Sequence, residues 1–233
     1  FSTQDDFYVM KLDPEGKLVW AKCGGGTNMD QGLAIAIDGE GNVVTTGRFM
    51  GTVDFDPGVG ITNLTASWVD IFIQKLDANG NFLWAKSLGS SDMNDYPRDI
   101  QIDNTGKIYL TGFISDIADL DPGPGVDMQG IPNGRSIYVL KLDPAGNYSW
   151  GKTMFGAALN EGSAIVTDDS ANTYLAGEFN GMTDFDPSPG TLNLPFSGST
   201  NFILKLDPLG NLVWAKSNCL SGGINVESID LDP

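Results

Sequence analysis

Four copies of one twelve-residue unit run through this chain: KLDPEGKLVWAK (11–22), KLDANGNFLWAK (75–86), KLDPAGNYSWGK (141–152) and KLDPLGNLVWAK (205–216). They place Trp20, Trp84, Trp150 and Trp214 at spacings of 64, 66 and 64 residues. A second anchor keeps the same period: DFDPGVG begins at 54, DLDPGPG at 119 and DFDPSPG at 184. A unit of this size cannot cover its own apolar face and must stack on its neighbours, so the chain has to fold as a repeat protein.

Each unit reads as strand, turn, strand, loop, strand, turn, strand and an insertion. Residues 7–12, 71–76 and 137–142 are apolar on both faces, as strands buried between packed sheets are. Asp13-Pro14-Glu15-Gly16 is a hairpin turn: Asp caps, Pro presets φ and Gly takes the positive-φ position. Residues 33–38 and 43–49 supply a third and fourth strand. In the third copy Asp169-Ser170-Ala171-Asn172 lacks the turn glycine, and the positive φ is expected at Asn172. Residues 54–69 and their copies are expected to be an excursion outside the four strands. The 30 Gly, 12 Pro and 25 Asp against 5 Glu fit many turns and few helices. Four antiparallel strands per unit predict an all-β fold, a β-propeller fragment of about 3.5 blades; a solenoid of parallel coils is the competing architecture. The expected division is the end of a preceding repeat at 1–5, blades at 6–69, 70–135 and 136–200, and a truncated fourth at 201–233. Because that last repeat stops after its third strand, a longer chain with apolar blade faces needing cover is expected.

The pattern K-L-D-x-x-G-x-x-x-W-A-K with D-x-x-G-N-x-x-x-T-G-x-F and D-F-D-P-G, best seen over residues 30–60, resembles the bacterial beta-propeller repeat (SBBP) family along essentially the whole chain. The resemblance implies a large secreted or cell-surface protein, the D-F-D-P-G variant being similar to proteins of bacteria that use type IX secretion, with no shared catalytic residues. The L-D-x-x-G-x-x-x-W hairpin also resembles the tryptophan-docking repeat of quinoprotein propellers, which implies that each Trp packs against a neighbouring blade; a row of sugar-stacking platforms is the alternative.

Charge and composition exclude several functions. The net charge is −17, and most of the 13 basic residues occupy repeat slots (Lys11, Lys75, Lys141 and Lys205; Lys22, Lys86, Lys152 and Lys216), so no basic stripe awaits nucleic acid or an anionic membrane. There is no histidine, which removes the commonest general base and His-ligated zinc. No apolar run approaches a membrane span. Cys23 and Cys219 are either paired or two isolated thiols.

The acidic pairs Asp54/Asp56, Asp119/Asp121 and Asp184/Asp186 are the candidate metal ligands. Two residues apart in an extended segment, their carboxylates point to one side, and oxygen-only ligands beside a sharp turn suit structural Ca²⁺. The alternative is that each Asp caps nearby backbone N–H groups. Glu161 and Glu178 break the repeat locally; Glu161 falls one place after the slot of Asp95 and is expected to share its loop role. Recurrence of the pairs argues against a single catalytic centre. The expectation is thus a non-catalytic extracellular scaffold, outer-membrane-associated, whose partners are other blades of the same larger chain and an extracellular protein or polysaccharide. The alternative is a carbohydrate-binding or hydrolase-associated propeller whose active site lies outside this fragment.

Overall fold

The computed structural model describes residues 5–91, 93–156, 159–218 and 226–232, which leaves Cys219 outside the described residues. These contain fifteen strands and no helix. Phe7–Leu12 (β1) and Leu18–Gly24 (β2) form a two-stranded antiparallel sheet. Gln31–Ile37 (β3), Val43–Asp54 (β4), Asn63–Leu76 (β5) and Phe82–Ser90 (β6) make the first complete four-stranded blade. Tyr96–Ile102 (β7), Ile108–Asp119 (β8), Met128–Leu142 (β9) and Tyr148–Gly156 (β10) make the second. Asn160–Thr167 (β11), Thr173–Asn180 (β12), Ser199–Leu206 (β14) and Leu212–Asn218 (β15) make the third, and Thr183–Asp184 (β13), which follows β12 in the chain, pairs with β10 of the second blade. Every pairing between these strands is antiparallel, which excludes the parallel solenoid. First strands of successive blades pack together (β3 on β7, β7 on β11), whereas among the described residues their fourth strands share no comparable packing. That is the radial convergence of a propeller.

The blades are out of phase with the repeat. β4 pairs with β5 along its whole length, from Val43↔Leu76 to Asp54↔Asn63, so the expected cuts near 69/70, 135/136 and 200/201 fall inside hairpins. The four-stranded blades break instead between β2 and β3, β6 and β7, and β10 and β11, and the first two complete blades remain joined at one corner, where the end of β6 pairs with the end of β8 (Gly89↔Asp119, Ser90↔Ala118). The last two strands of each sequence repeat form the first half of a blade, and the first two strands of the next repeat complete it.

The insertion also differs from its expectation. Residues 55–62 are the tip of the β4–β5 hairpin, extended beyond the sheet, and Phe55, Leu120 and Phe185 at the three tips are fully buried. Phe55 packs edge-on against Phe49 (5.3 Å) and against Phe72 (4.9 Å). Each apolar core lies between blades. Phe7 joins Phe49, Phe55 and Phe72; Val44, Ile71 and Ile73 join Ile100, Leu110 and Leu140; Val139 and Ile137 join Ile165, Leu175 and Leu204.

Tight turns at 13–16, 38–41, 77–80, 103–106, 143–146, 168–171 and 207–210 share one hydrogen-bond pattern. In each, the Asp carbonyl accepts the N–H three residues on, and its Oδ1 accepts N–H groups two and four residues on, as Asp77 does from Asn79 and Asn81 (both 2.8 Å). Six of the seven place Gly at the fourth position, for example Gly80 at φ +79°. In the seventh the left-handed residue is Ala171 (φ +59°), not Asn172, because the Asp168 caps fix the turn's geometry and the alanine must follow it.

Trp20, Trp84 and Trp150 each reach into the following blade. Trp20 Nε1 and Lys11 Nζ both donate to the Ala78 carbonyl (3.1 and 2.9 Å), and Trp150 Nε1 and Lys141 Nζ both donate to the Pro208 carbonyl (3.1 Å each). Lys75 Nζ does the same at Pro144 (3.1 Å), while Trp84 Nε1 has no hydrogen-bond partner. The turn glycine of the next blade lies flat on the indole: a Cβ at Gly80 would sit 2.9 Å from Trp20, and one at Gly146 3.0 Å from Trp84. The Trp column is an inter-blade clamp.

Candidate functional site

All seven tight turns lie at one rim, and the opposite rim carries the long hairpins and the loops between blades. The six predicted metal ligands stand at those hairpin tips. Asp54 Oδ1 accepts N–H bonds from Asp56 (3.0 Å) and Thr62 (2.8 Å), and Asp56 Oδ1 accepts that of Gly58 (2.8 Å). Asp119 and Asp121 repeat this with Asp121, Asp127 and Gly123; Asp184 and Asp186 repeat it with Asp186, Leu192 and Ser188. The Oδ2 atoms of Asp56, Asp121 and Asp186 lie against Gly60, Gly125 and Gly190, where any Cβ would collide with them. That contact explains the glycine of each D-x-D-P motif. The bonds present are those of capping turns, and among the described residues no three His, Cys, Asp or Glu stand close enough together to hold a metal ion.

Behind the tips, a buried Asp or Asn ties each inter-blade loop to the next sheet. Asp30 accepts N–H bonds from Gly26 (2.6 Å) and Met50 (3.2 Å); Asp95 accepts those of Ser90 (2.5 Å) and Ser115 (2.7 Å). Asn160 fills the third slot, bonding Thr183 and the Arg135 carbonyl. Glu161 therefore does not share the Asp95 role, since its neighbour occupies that position. Burial raises the Asp95 carboxyl to about 6 against its backbone donors. Burial, and then the nearby Asp95 charge, raises Asp70 to about 7, and Asp70 Oδ1 is buried without a partner.

Glu161 belongs to a different cluster, one that reading along the repeat missed. The chain has three arginines, and all three meet on this rim. Arg48 on β4 lies 4.4 Å from the Tyr96 ring centroid and donates to its hydroxyl; Arg98 on β7 lies 5.8 Å from the same ring. Tyr96 stacks on Phe113 at 5.0 Å, and Arg135 on β9 sits 3.3 Å over Phe113. Glu161 on β11 bridges Arg98 (2.5 Å) and Arg135 (3.3 Å), so the cluster spans three blades. None of these residues repeats: the equivalent slots read Gln31, Tyr96, Glu161; Leu33, Arg98, Ser163; and Arg48, Phe113, Glu178. Departure from the repeat is the signal that marks them.

Two curated proteins are similar to this chain. It is 27% identical over 231 residues to an uncharacterized WD repeat-containing protein, L264, of Acanthamoeba polyphaga mimivirus, covering 87% of this chain and 17% of that protein. It is 24% identical over 196 residues to the regulatory protein FlaEY of Caulobacter vibrioides, covering 81% of this chain and 20% of that one. The chain thus spans about a fifth of the length of these relatives. No family model matches it. A crystal structure of a protein of unknown function from Bacteroides caccae aligns over 93% of this chain and 77% of its own, at 11% identity and a TM-score of 0.34, a likeness too loose to bear on the fold. The chain is an all-β, propeller-like repeat protein with distant relatives among repeat proteins.

Proposed function

We propose that this chain is a non-catalytic interaction scaffold, part of a larger secreted or cell-surface protein of the kind the SBBP resemblance implies. One observation carries the reading: the residues shared between repeats are consumed by structure, while the residues that differ gather on one rim. The shared Asp side chains cap turns, the shared Lys and Trp hold the next blade, and the shared Gly positions admit those contacts. A surface that varies while its support repeats is how a repeat scaffold acquires a partner. Continuation into further blades is supported by apolar faces left open, with Tyr8 65% and Ile35 56% exposed. Protease treatment of intact cells followed by fractionation tests the reading. Loss of the intact protein from the cell surface is expected; a protein found in the cytosol and spared by external protease would refute it.

In this reading the paired aspartates serve as turn caps. Melting with chelator and with millimolar calcium is expected to coincide, and a calcium-dependent rise that Asp54→Asn/Asp56→Asn abolishes would establish a structural metal instead.

A further inference from the structure

The arginine rim has an electrostatic imbalance that points to a ligand. In a protein of net charge −17, Arg48, Arg98 and Arg135 stand together with Glu161 as the one carboxylate that pairs with any of them among the described residues. Arg48 donates to the Gln31 side chain (2.9 Å) and the Tyr96 hydroxyl, both neutral, and makes no ion pair among the described residues. Burial, and then the neighbouring charge of Arg98, lowers the Arg48 pKa, and burial chiefly lowers that of Arg135. Arg135 Nε is buried with no hydrogen-bond partner. Like charges held together and a donor left unsatisfied are both costly without an anion to meet them.

The cluster opens into a cleft of about 570 Å³ whose walls include Trp68, Asn94, Tyr96, Arg98, Ser115 and Arg135. Trp68, 52% exposed, stands at this cleft, and Asn94 and Ser115 offer neutral polar groups. A neighbouring cleft of about 390 Å³ shares Arg98 but is lined by Glu161, Glu178 and Glu227, whereas the first has two arginines and no carboxylate in its wall. Guanidinium forks match a carboxylate through paired hydrogen bonds. An open indole face matches the C–H face of a sugar ring, and neutral polar groups suit its hydroxyls. An acidic peptide offers the carboxylate but only a short methylene stem to the indole.

We propose that this cleft binds a uronate unit of an acidic polysaccharide, with Arg98 and Arg135 on its carboxylate and Trp68 against its ring. The proposal deepens the interaction-scaffold reading and rests on it. The test is titration calorimetry of the full chain with oligogalacturonate, neutral malto-oligosaccharide and a poly-glutamate peptide, on the parent, Arg98→Gln and Trp68→Ala. Arg98 and Trp68 are both exposed, so both variants are expected to fold, which a melting curve confirms. The expected result is binding to oligogalacturonate that weakens at least tenfold in each variant and falls with added salt, with little binding of the neutral sugar. Tighter binding of poly-glutamate with the same Arg98 dependence would make the cleft a peptide site. Absent oligogalacturonate binding, equal binding of the neutral sugar, or binding indifferent to both substitutions would also overturn the proposal. Any of these on a surface-exposed protein leaves the scaffold reading standing; a cytosolic location refutes that reading whatever the calorimetry shows.

Discussion

Tyr8 and Tyr138 hold the same slot of the same repeat, and one is 65% exposed while the other is fully buried. The pair Ile35 and Ile100 behaves alike, at 56% and 4%. β1 alternates between buried and exposed, whereas in β5 and β9 the segments Ile71–Leu76 and Ile137–Leu142 are buried on both faces. The strands are equivalent in sequence; what differs is that β5 and β9 have a blade on each side and β1 has one. Burial in this molecule is thus a property of adjacency. Each blade's stability resides largely in its two interfaces, as nearest-neighbour coupling in stacked repeats requires.

The strongest way to break that comparison is to remove a clamp at an interior and at a terminal blade. Trp84→Ala takes away the indole that supports Gly146 of the next blade and is expected to cost about 3–5 kcal/mol in denaturant unfolding. Trp214 touches only Tyr174 edge-on (6.2 Å) among aromatic rings and has no following turn against it among the described residues, so Trp214→Ala should cost about 1 kcal/mol or less. Equal losses would mean that the clamp acts within a blade and not between blades. A milder pair follows: Ile100→Ala should cost about 2–4 kcal/mol, and Ile35→Ala less than about 0.5 kcal/mol. If a further blade covers the open face in a longer protein, the second value should rise toward the first.

A third contrast is one of pH. Asp70 and Asp95, at the junction of the first two complete blades, have folded-state pKa values above those of an unfolded chain. Well below pH 4 they are protonated in both states. As pH climbs toward 7 the unfolded chain releases these protons more readily, so stability falls across that window. Asp77 and Asp207 act in the opposite sense: side-chain hydrogen bonds from Asn81 and Asn211 hold them low, so their contribution disappears as pH drops below the ordinary carboxylate range. Melting temperature should therefore peak in mild acid and decline toward pH 8, with a loss on the order of 2 kcal/mol. Asp70→Asn should flatten the decline, and an unchanged slope would locate the titration elsewhere. The smallest effect is at the seventh turn. Ala171→Gly relieves a left-handed alanine and should stabilise by roughly 0.5–1 kcal/mol, while Gly106→Ala, in the same slot one blade earlier, should destabilise by a similar amount.

The period, the strand pairs, the turn chemistry and the Trp clamp were all legible in the sequence, because each is written in residues close together and repeated. The phase of the blades was not. Consecutive antiparallel strands look alike, and the break between β6 and β7 carries no stronger turn signal than the tip between β4 and β5. The tips passed for an unpacked excursion because Gly and Pro dominate them, although an apolar residue stands between the two aspartates each time, at Phe55, Leu120 and Phe185. Residue preference favours Asn172 for the positive φ, whereas the capping bonds of Asp168 dictate it at Ala171. The arginine rim was the least visible. Its members come from positions 48, 96, 98, 135 and 161, and only folding three blades together makes them neighbours.

The offset between repeat and blade bears on how such a chain lengthens in evolution. Duplication or loss of one 65-residue genetic unit takes two strands from each of two sheets, and the remaining halves meet across the same hairpin and the same Trp-to-turn contact that every other junction uses. No new seam is created, so the number of blades is free to drift while the reading of each junction stays constant. An exchange between unlike parents would likewise produce hybrid blades, two strands from each, and would join rim residues from both parents within a single sheet.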